Sequence, residues 1–131
     1  MKKLSLAIAL TATLFAVSCK KDDPTPTAPA HVGLWKGKYG SPGSYPTTNW
    51  WMLFKSDGKV RVYDGADTTS AGKADGTYSI SGGTITTSYA YSVSNTYSTT
   101  ATINAQSTFQ EGTYGTGTAT TGGGNFFLVK Q

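Results

Sequence analysis

The run TNWWMLFKSDGKVRVY, residues 48–63, decides the fold. Its first half alternates, with Trp50, Met52 and Phe54 on one parity and Trp51, Leu53 and Lys55 on the other. A period of two marks a β-strand, because successive side chains point to opposite faces. Lys55 belongs in water, so the Trp50 set points inward. Ser56-Asp57-Gly58 reads as a turn, and Lys59-Val60-Arg61-Val62 repeats the alternation with Val60 and Val62 inside. A link this short makes the two strands antiparallel.

The same reading extends from His31 to Gln131. This stretch is rich in Thr, Tyr, Val, Ile and Gly, shows no sustained helical period, and carries turn clusters about every 8 to 12 residues. Eight strands are expected at 33–40, 48–55, 59–63, 74–80, 84–92, 96–104, 107–118 and 125–130. A meander of that kind removes its exposed edges by closing on itself. The fold class is therefore all-β: an eight-stranded antiparallel up-and-down β-barrel. Alternation places Tyr78, Ile80, Ile85, Tyr89, Tyr91, Tyr97, Ala101, Ile103, Phe126 and Leu128 inside. It also puts Glu111 inside, on the parity of Phe109, unless a bulge near Gly112 shifts it to the rim.

The N-terminal segment has a different character. Met1-Lys2-Lys3 is basic, Leu4 to Val17 is apolar, and small residues lead to Ser18-Cys19, the order of a secretory signal. The apolar run is too short to span a bilayer as a helix, which needs about 20 residues. Three units follow: a signal peptide at 1–18, a Pro/Thr-rich tether at 19–30, and the barrel at 31–131. The one cysteine of the chain, Cys19, falls at the cleavage point, where it has no second cysteine to pair with.

Ala16-Val17-Ser18-Cys19 resembles the lipobox of bacterial lipoproteins, although the family favours Leu where this chain has Ala16. The resemblance implies that Cys19 is the lipid attachment site and anchors the protein to a membrane. Lys20-Lys21-Asp22-Asp23 is similar to the export tag of Bacteroidota-type surface lipoproteins, which implies display on the outer membrane, with a periplasm-facing anchor as the alternative. Within the barrel, Gly33-Leu34-Trp35 at the start and Lys130 near the end resemble the calycin superfamily of lipocalin-like barrels. That likeness implies structural roles for Gly33, Trp35 and Lys130, with Lys130 lying over Trp35 in a cation–π contact at the closed end.

The residues count against several chemistries. From His31 onward, seven basic and five acidic residues leave a net charge of +2, which is no nucleic-acid footprint. His31 is the only histidine and reads as a solvated residue at the linker boundary. Asp57, Asp64, Asp67 and Asp75 fall in turns or at strand edges, where Asp bonds nearby backbone amides. No catalytic set, metal cluster or cofactor motif is present, so an enzyme is not expected.

Two readings of function remain. In the first, the barrel binds a small amphipathic ligand through Trp50, Tyr78, Tyr89, Tyr91, Tyr97 and Glu111, with Cys19 holding the protein at the membrane. The alternative for those rings is that they fill the core. In the second, Leu34, Trp51, Leu53, Phe127 and Val129 form one outer apolar patch for a protein partner or a homodimer, or are covered by the tether.

Overall fold

The computed structural model describes residues 29–131, so the signal peptide, Cys19 and most of the tether lie outside the described residues. Eight strands follow in order: β1 (Gly33–Gly40), β2 (Thr48–Phe54), β3 (Lys59–Asp64), β4 (Gly72–Ser81), β5 (Thr84–Ser92), β6 (Asn95–Ile103), β7 (Phe109–Thr116) and β8 (Gly124–Lys130). Every sequential pair is antiparallel, and β8 returns to β1 to close the barrel. Closure runs from Trp35 opposite Lys130 to Gly40 opposite Asn125. The expected fold class is the observed one.

Alternation holds through most of the wall. Trp50, Met52, Phe54, Val60, Val62, Ile85, Tyr89, Ala101, Phe126 and Leu128 are all buried. The outer face of β4 to β7 is hydroxylic instead, with Ser79, Thr86, Thr100 and Thr113 side by side across four strands. Branched, half-polar side chains of this kind suit a pleated surface that meets water.

β7 departs from the sequence reading. Asn104 Oδ1 accepts from the amides of Thr108 (2.8 Å) and Phe109 (2.9 Å), and Ser107 takes a left-handed φ of 53°. This turn delays the strand to Phe109 and aims that ring outward, where it stacks on Phe127 with centroids 6.4 Å apart. Gln110, Gly112 and Tyr114 consequently point inward, and Glu111 is exposed on the outer wall. The inward assignment of Glu111 is therefore corrected: the aromatic that set the parity packs outside. Gln110 is 1% exposed and its Nε2 has no hydrogen-bond partner. An unpaired buried donor costs about 1–3 kcal/mol.

The barrel closes tightly at its inward glycines. A Cβ on Gly37 would meet the Phe127 carbonyl oxygen at 1.9 Å, and one on Gly112 would meet that of Thr100 at 2.0 Å. No side chain fits at such distances, so the backbone itself fills these positions.

One end of the barrel is plugged by the segment that leads into it. Val32 N–H donates to the Pro29 carbonyl (2.9 Å), and the Trp35 indole Nε1–H donates to the His31 carbonyl (2.8 Å). Lys130 pairs with Trp35 across β8 and β1, but the cation–π contact expected between them does not form, and its ammonium donates to the Ala30 carbonyl instead. The cation–π contact among the described residues is Lys36 over Trp51, at 4.3 Å. Tyr78 donates to the Lys55 carbonyl (2.6 Å) and stands edge-on to Phe54. Its oxygen lies 3.0 Å from His31 Nε2, so the neutral imidazole carries its proton there and donates it. His31 is thus half-buried and engaged, where the sequence reading had it solvated.

Two outcomes follow from this geometry. Gly112→Ala is expected to cost about 2–4 kcal/mol and lower the melting midpoint by roughly 10 °C or more. Thr100→Ala, on the outer wall nearby, should change stability by less than about 1 kcal/mol. Circular dichroism melts read both, and equal midpoints would rule out the close approach.

Burial, then the Lys130 charge, lowers the His31 pKa from its ordinary 6.5. The unfolded chain then takes up the proton first as pH falls. The contribution is complete above about pH 6.5 and is lost as pH drops through the folded value. Asp75 is held low by its Arg61 hydrogen bond and acts only at more acid pH. The melting midpoint should therefore fall between about pH 7 and pH 5, and His31→Ala should flatten that slope. An unchanged slope would remove His31 as its source.

Candidate functional site

The end away from the plug is open. A cavity of about 330 Å³ lies there, lined by Tyr39, Trp50, Asp64, Gly72, Tyr89, Tyr91, Asn95, Tyr97 and Tyr114. Each side chain arrives by strand parity. Tyr39 follows Trp35 on the inward parity of β1, and Trp50 heads the inward row of β2. Asp64 is the last residue of β3 on the parity of Val60 and Val62, which carries an exposed carboxylate to the rim.

A bulge in β5 serves the same end. Ala90 pairs with Thr96 and Ser92 with Asn95, so Tyr91 is the extra residue between them. Bulges concentrate at barrel rims, where they re-aim a side chain. Tyr91 is thereby brought beside Tyr89 and Tyr97, with centroids 6.0 and 6.1 Å away.

Trp50 is the floor of the cavity. It is 3% exposed and touches Phe126 below (5.0 Å), Tyr39 (5.7 Å), Tyr114 (6.0 Å) and Tyr89 (6.2 Å). Most of these rings meet at 52–90°, while Tyr89 and Tyr97 stack at 22°. Such edge-to-face contacts stabilise by about 0.5–1.5 kcal/mol beyond the area they bury. The walls are therefore held by each other.

The electrostatics of the cavity are simple. Burial pushes the Tyr89 phenol far above its ordinary 10, and burial followed by the Asp64 charge does the same for Tyr91. Tyr39 and Tyr114 are raised too, chiefly by burial. The lining holds one carboxylate, Asp64, with no Lys, Arg or His.

Of the residues singled out from sequence, Trp50, Tyr89, Tyr91 and Tyr97 come together here. Tyr78 does not, because β4 carries it to the plugged end, and Glu111 is on the outer wall. Tyr39, Asp64, Asn95 and Tyr114 were missed. Counting in twos from Trp35 reaches Tyr39, and counting from Val60 reaches Asp64. Tyr114 was lost with the parity of β7.

The outer patch also assembles. Leu34 faces Leu53 across β1 and β2, while Trp51 and Val129 flank Lys36 on either side. Phe127 follows on β8, and Phe109 extends the row onto β7. Val129 is 42% exposed, Phe109 is 37%, and the other four are half-buried.

Among the described residues no group of three His, Cys, Asp or Glu side chains could hold a metal ion, and no helix is long and apolar enough to cross a membrane. No protein-family model, curated protein or solved structure matches the chain.

The raised phenols give the site an alkaline signature. Their folded pKa values exceed the unfolded one, so the stability they contribute is complete below about pH 10 and is lost as pH rises beyond it. Tyr89→Phe should shrink the drop in melting midpoint between about pH 9 and pH 11. An identical drop would mean that this phenol is as wet folded as unfolded.

Proposed function

We propose that this chain is an exported, lipid-anchored lipoprotein, displayed on the outer membrane, whose calycin-like barrel binds a small amphipathic ligand in its open end. The observation that carries the reading is the cavity of about 330 Å³ walled by mutually braced tyrosines. Small-molecule sites run from about 300 to 1,000 Å³ and combine apolar walls with a few polar groups. Tyrosine supplies both, a flat apolar body and a hydroxyl tip. With one carboxylate and no histidine or cysteine in the lining, the site favours holding a ligand over converting it.

The anchor rests on the signal pattern that ends at Cys19 and the charged tag behind it. Its geometry agrees with a binding role. The chain enters through the plug at His31 and Trp35, so an N-terminal anchor attaches at the closed end. The cavity then opens away from the membrane, toward whatever the surface meets.

A second reading, a contact module for a protein partner or a second copy, is favoured by one observation. Phe109 joins Val129 and Phe127 in the outer apolar row, which makes the patch larger than the sequence indicated.

Native mass spectrometry of the full chain from a bacterial host separates these readings. Processing at Cys19 with added acyl mass, abolished by Cys19→Ala, supports the anchor, and an unacylated cysteine overturns it. A co-purifying small molecule, lost from the Tyr89→Ala/Tyr97→Ala variant, supports ligand binding. A bare mass overturns that binding, and a dimer mass lost with Trp51→Ser/Phe127→Ser assigns the function to the outer patch.

A further inference from the structure

The lining of the cavity is one-sided in charge as well as aromatic. Its single carboxylate is Asp64 at the rim, and the other polar groups of the lining are phenols and the Asn95 amide, with no Lys, Arg or His. The lysines of the adjoining strands turn away from it. Lys38 points outward and donates to the Thr47 carbonyl and to Asn49 Oδ1, both at 3.1 Å. Lys73 donates to the Thr69 carbonyl at 2.9 Å. An anionic ligand would find no counter-charge here, and an uncharged one would leave Asp64 with the Tyr39 hydroxyl and water as its partners.

The ring geometry points the same way. A flat sugar or planar ring is best received on a parallel aromatic platform. Trp50, Tyr39 and Tyr114 instead meet one another at 52–90°, and the near-parallel pair Tyr89 and Tyr97 stack on each other, so the mouth has walls in several directions. A compact cation gains from every ring within about 6 Å, because each aromatic face carries negative charge density and Trp carries the most. A divalent metal ion is a poor candidate, since the lining offers one carboxylate and no further anionic ligand.

We propose that the ligand of this cavity is an organic ammonium cation, its alkylated head seated over Trp50 against the part-exposed rings of Tyr39, Tyr91, Tyr97 and Tyr114, with the Asp64 carboxylate as counter-charge. The inference rests on the reading of the cavity as a ligand site and names the class of ligand it takes. An alkylated ammonium is weakly hydrated for a charge, so aromatic walls replace its water shell more easily than that of a primary amine or metal ion. Asp64 is exposed at the rim, so its share is that of a partly screened ion pair.

The test is calorimetric titration of the full chain with choline and with 3,3-dimethylbutan-1-ol, its isostere in which carbon replaces the charged nitrogen. Choline is expected to bind about tenfold or more tightly than the neutral isostere. Asp64→Asn should weaken choline about threefold to fivefold and leave the isostere unchanged. Glu111→Gln, which removes the same charge from the outer wall, should leave both unchanged. Equal affinity for the two probes overturns the cation proposal while the cavity keeps its role as a ligand site. Binding of neither probe also overturns it, and the mass of the purified chain then decides the cavity separately: a retained small molecule keeps the ligand reading, and a bare chain sinks both.

Discussion

The hydrogen-bonded closure of β8 on β1 is the constraint from which the rest of the structure follows. Eight strands enclose a space that side chains just fill or that accepts one small molecule, so each inward ring competes for a fixed cross-section. The chain meets that limit by setting glycines against rings. Trp50 pairs across from Gly37, Tyr89 from Gly76, and Phe126 from Gly112. Where the glycine has no side chain, the neighbouring backbone moves in and the ring takes the volume left over. Closure and aromatic content are thus one adaptation.

The same constraint separates the two ends. Trp35, Met52, Phe54, Val60, Val62, Ile85 and Leu128 are at most 1% exposed and fill the closed half. Apolar side chains of this kind interdigitate at crystal-like density, and burying each one contributes about 1.5–3 kcal/mol. The open half replaces them with phenol rings that touch mainly through edges and leave space between. At the plug, His31, Tyr78 and Lys130 tie the entering chain to the strand ends. The mouth is thereby free to stay hollow without loosening the wall.

Much of this was legible because strand parity is a strict rule. Trp50-Trp51-Met52-Leu53-Phe54 fixed the inside of β2, and short turns fixed an antiparallel meander. Parity failed where one local hydrogen-bond set outweighed hydrophobicity: the Asn104 side chain starts β7 at Phe109 and turns that ring outward. That slip exchanged Glu111 for Tyr114 in the site. Tyr78 was misplaced for another reason. Parity says which face a residue takes but not which end of the barrel, and the end depends on how far along its strand the residue sits. Asp64 looked like a turn residue because Asp so often is one, although its parity already pointed inward.

Why the mouth uses tyrosine in place of phenylalanine follows from its position between core and water. Phenylalanine there would expose an apolar ring patch, which soluble surfaces seldom tolerate unless it is covered. The hydroxyl keeps one end of each ring wet, and Tyr114 also reaches the Gly40 carbonyl across the barrel, at 3.4 Å. The ordinary phenol pKa is about 10 and burial raises Tyr89 and Tyr91 further, so these two rings add no negative charge beside Asp64. Asp64 is the one carboxylate at a mouth of aromatic rings, exposed at the rim and so partly screened, with Lys38 and Lys73 engaged elsewhere. The mouth is therefore polarised by a single residue, and that residue sits where the parity of β3 delivers it.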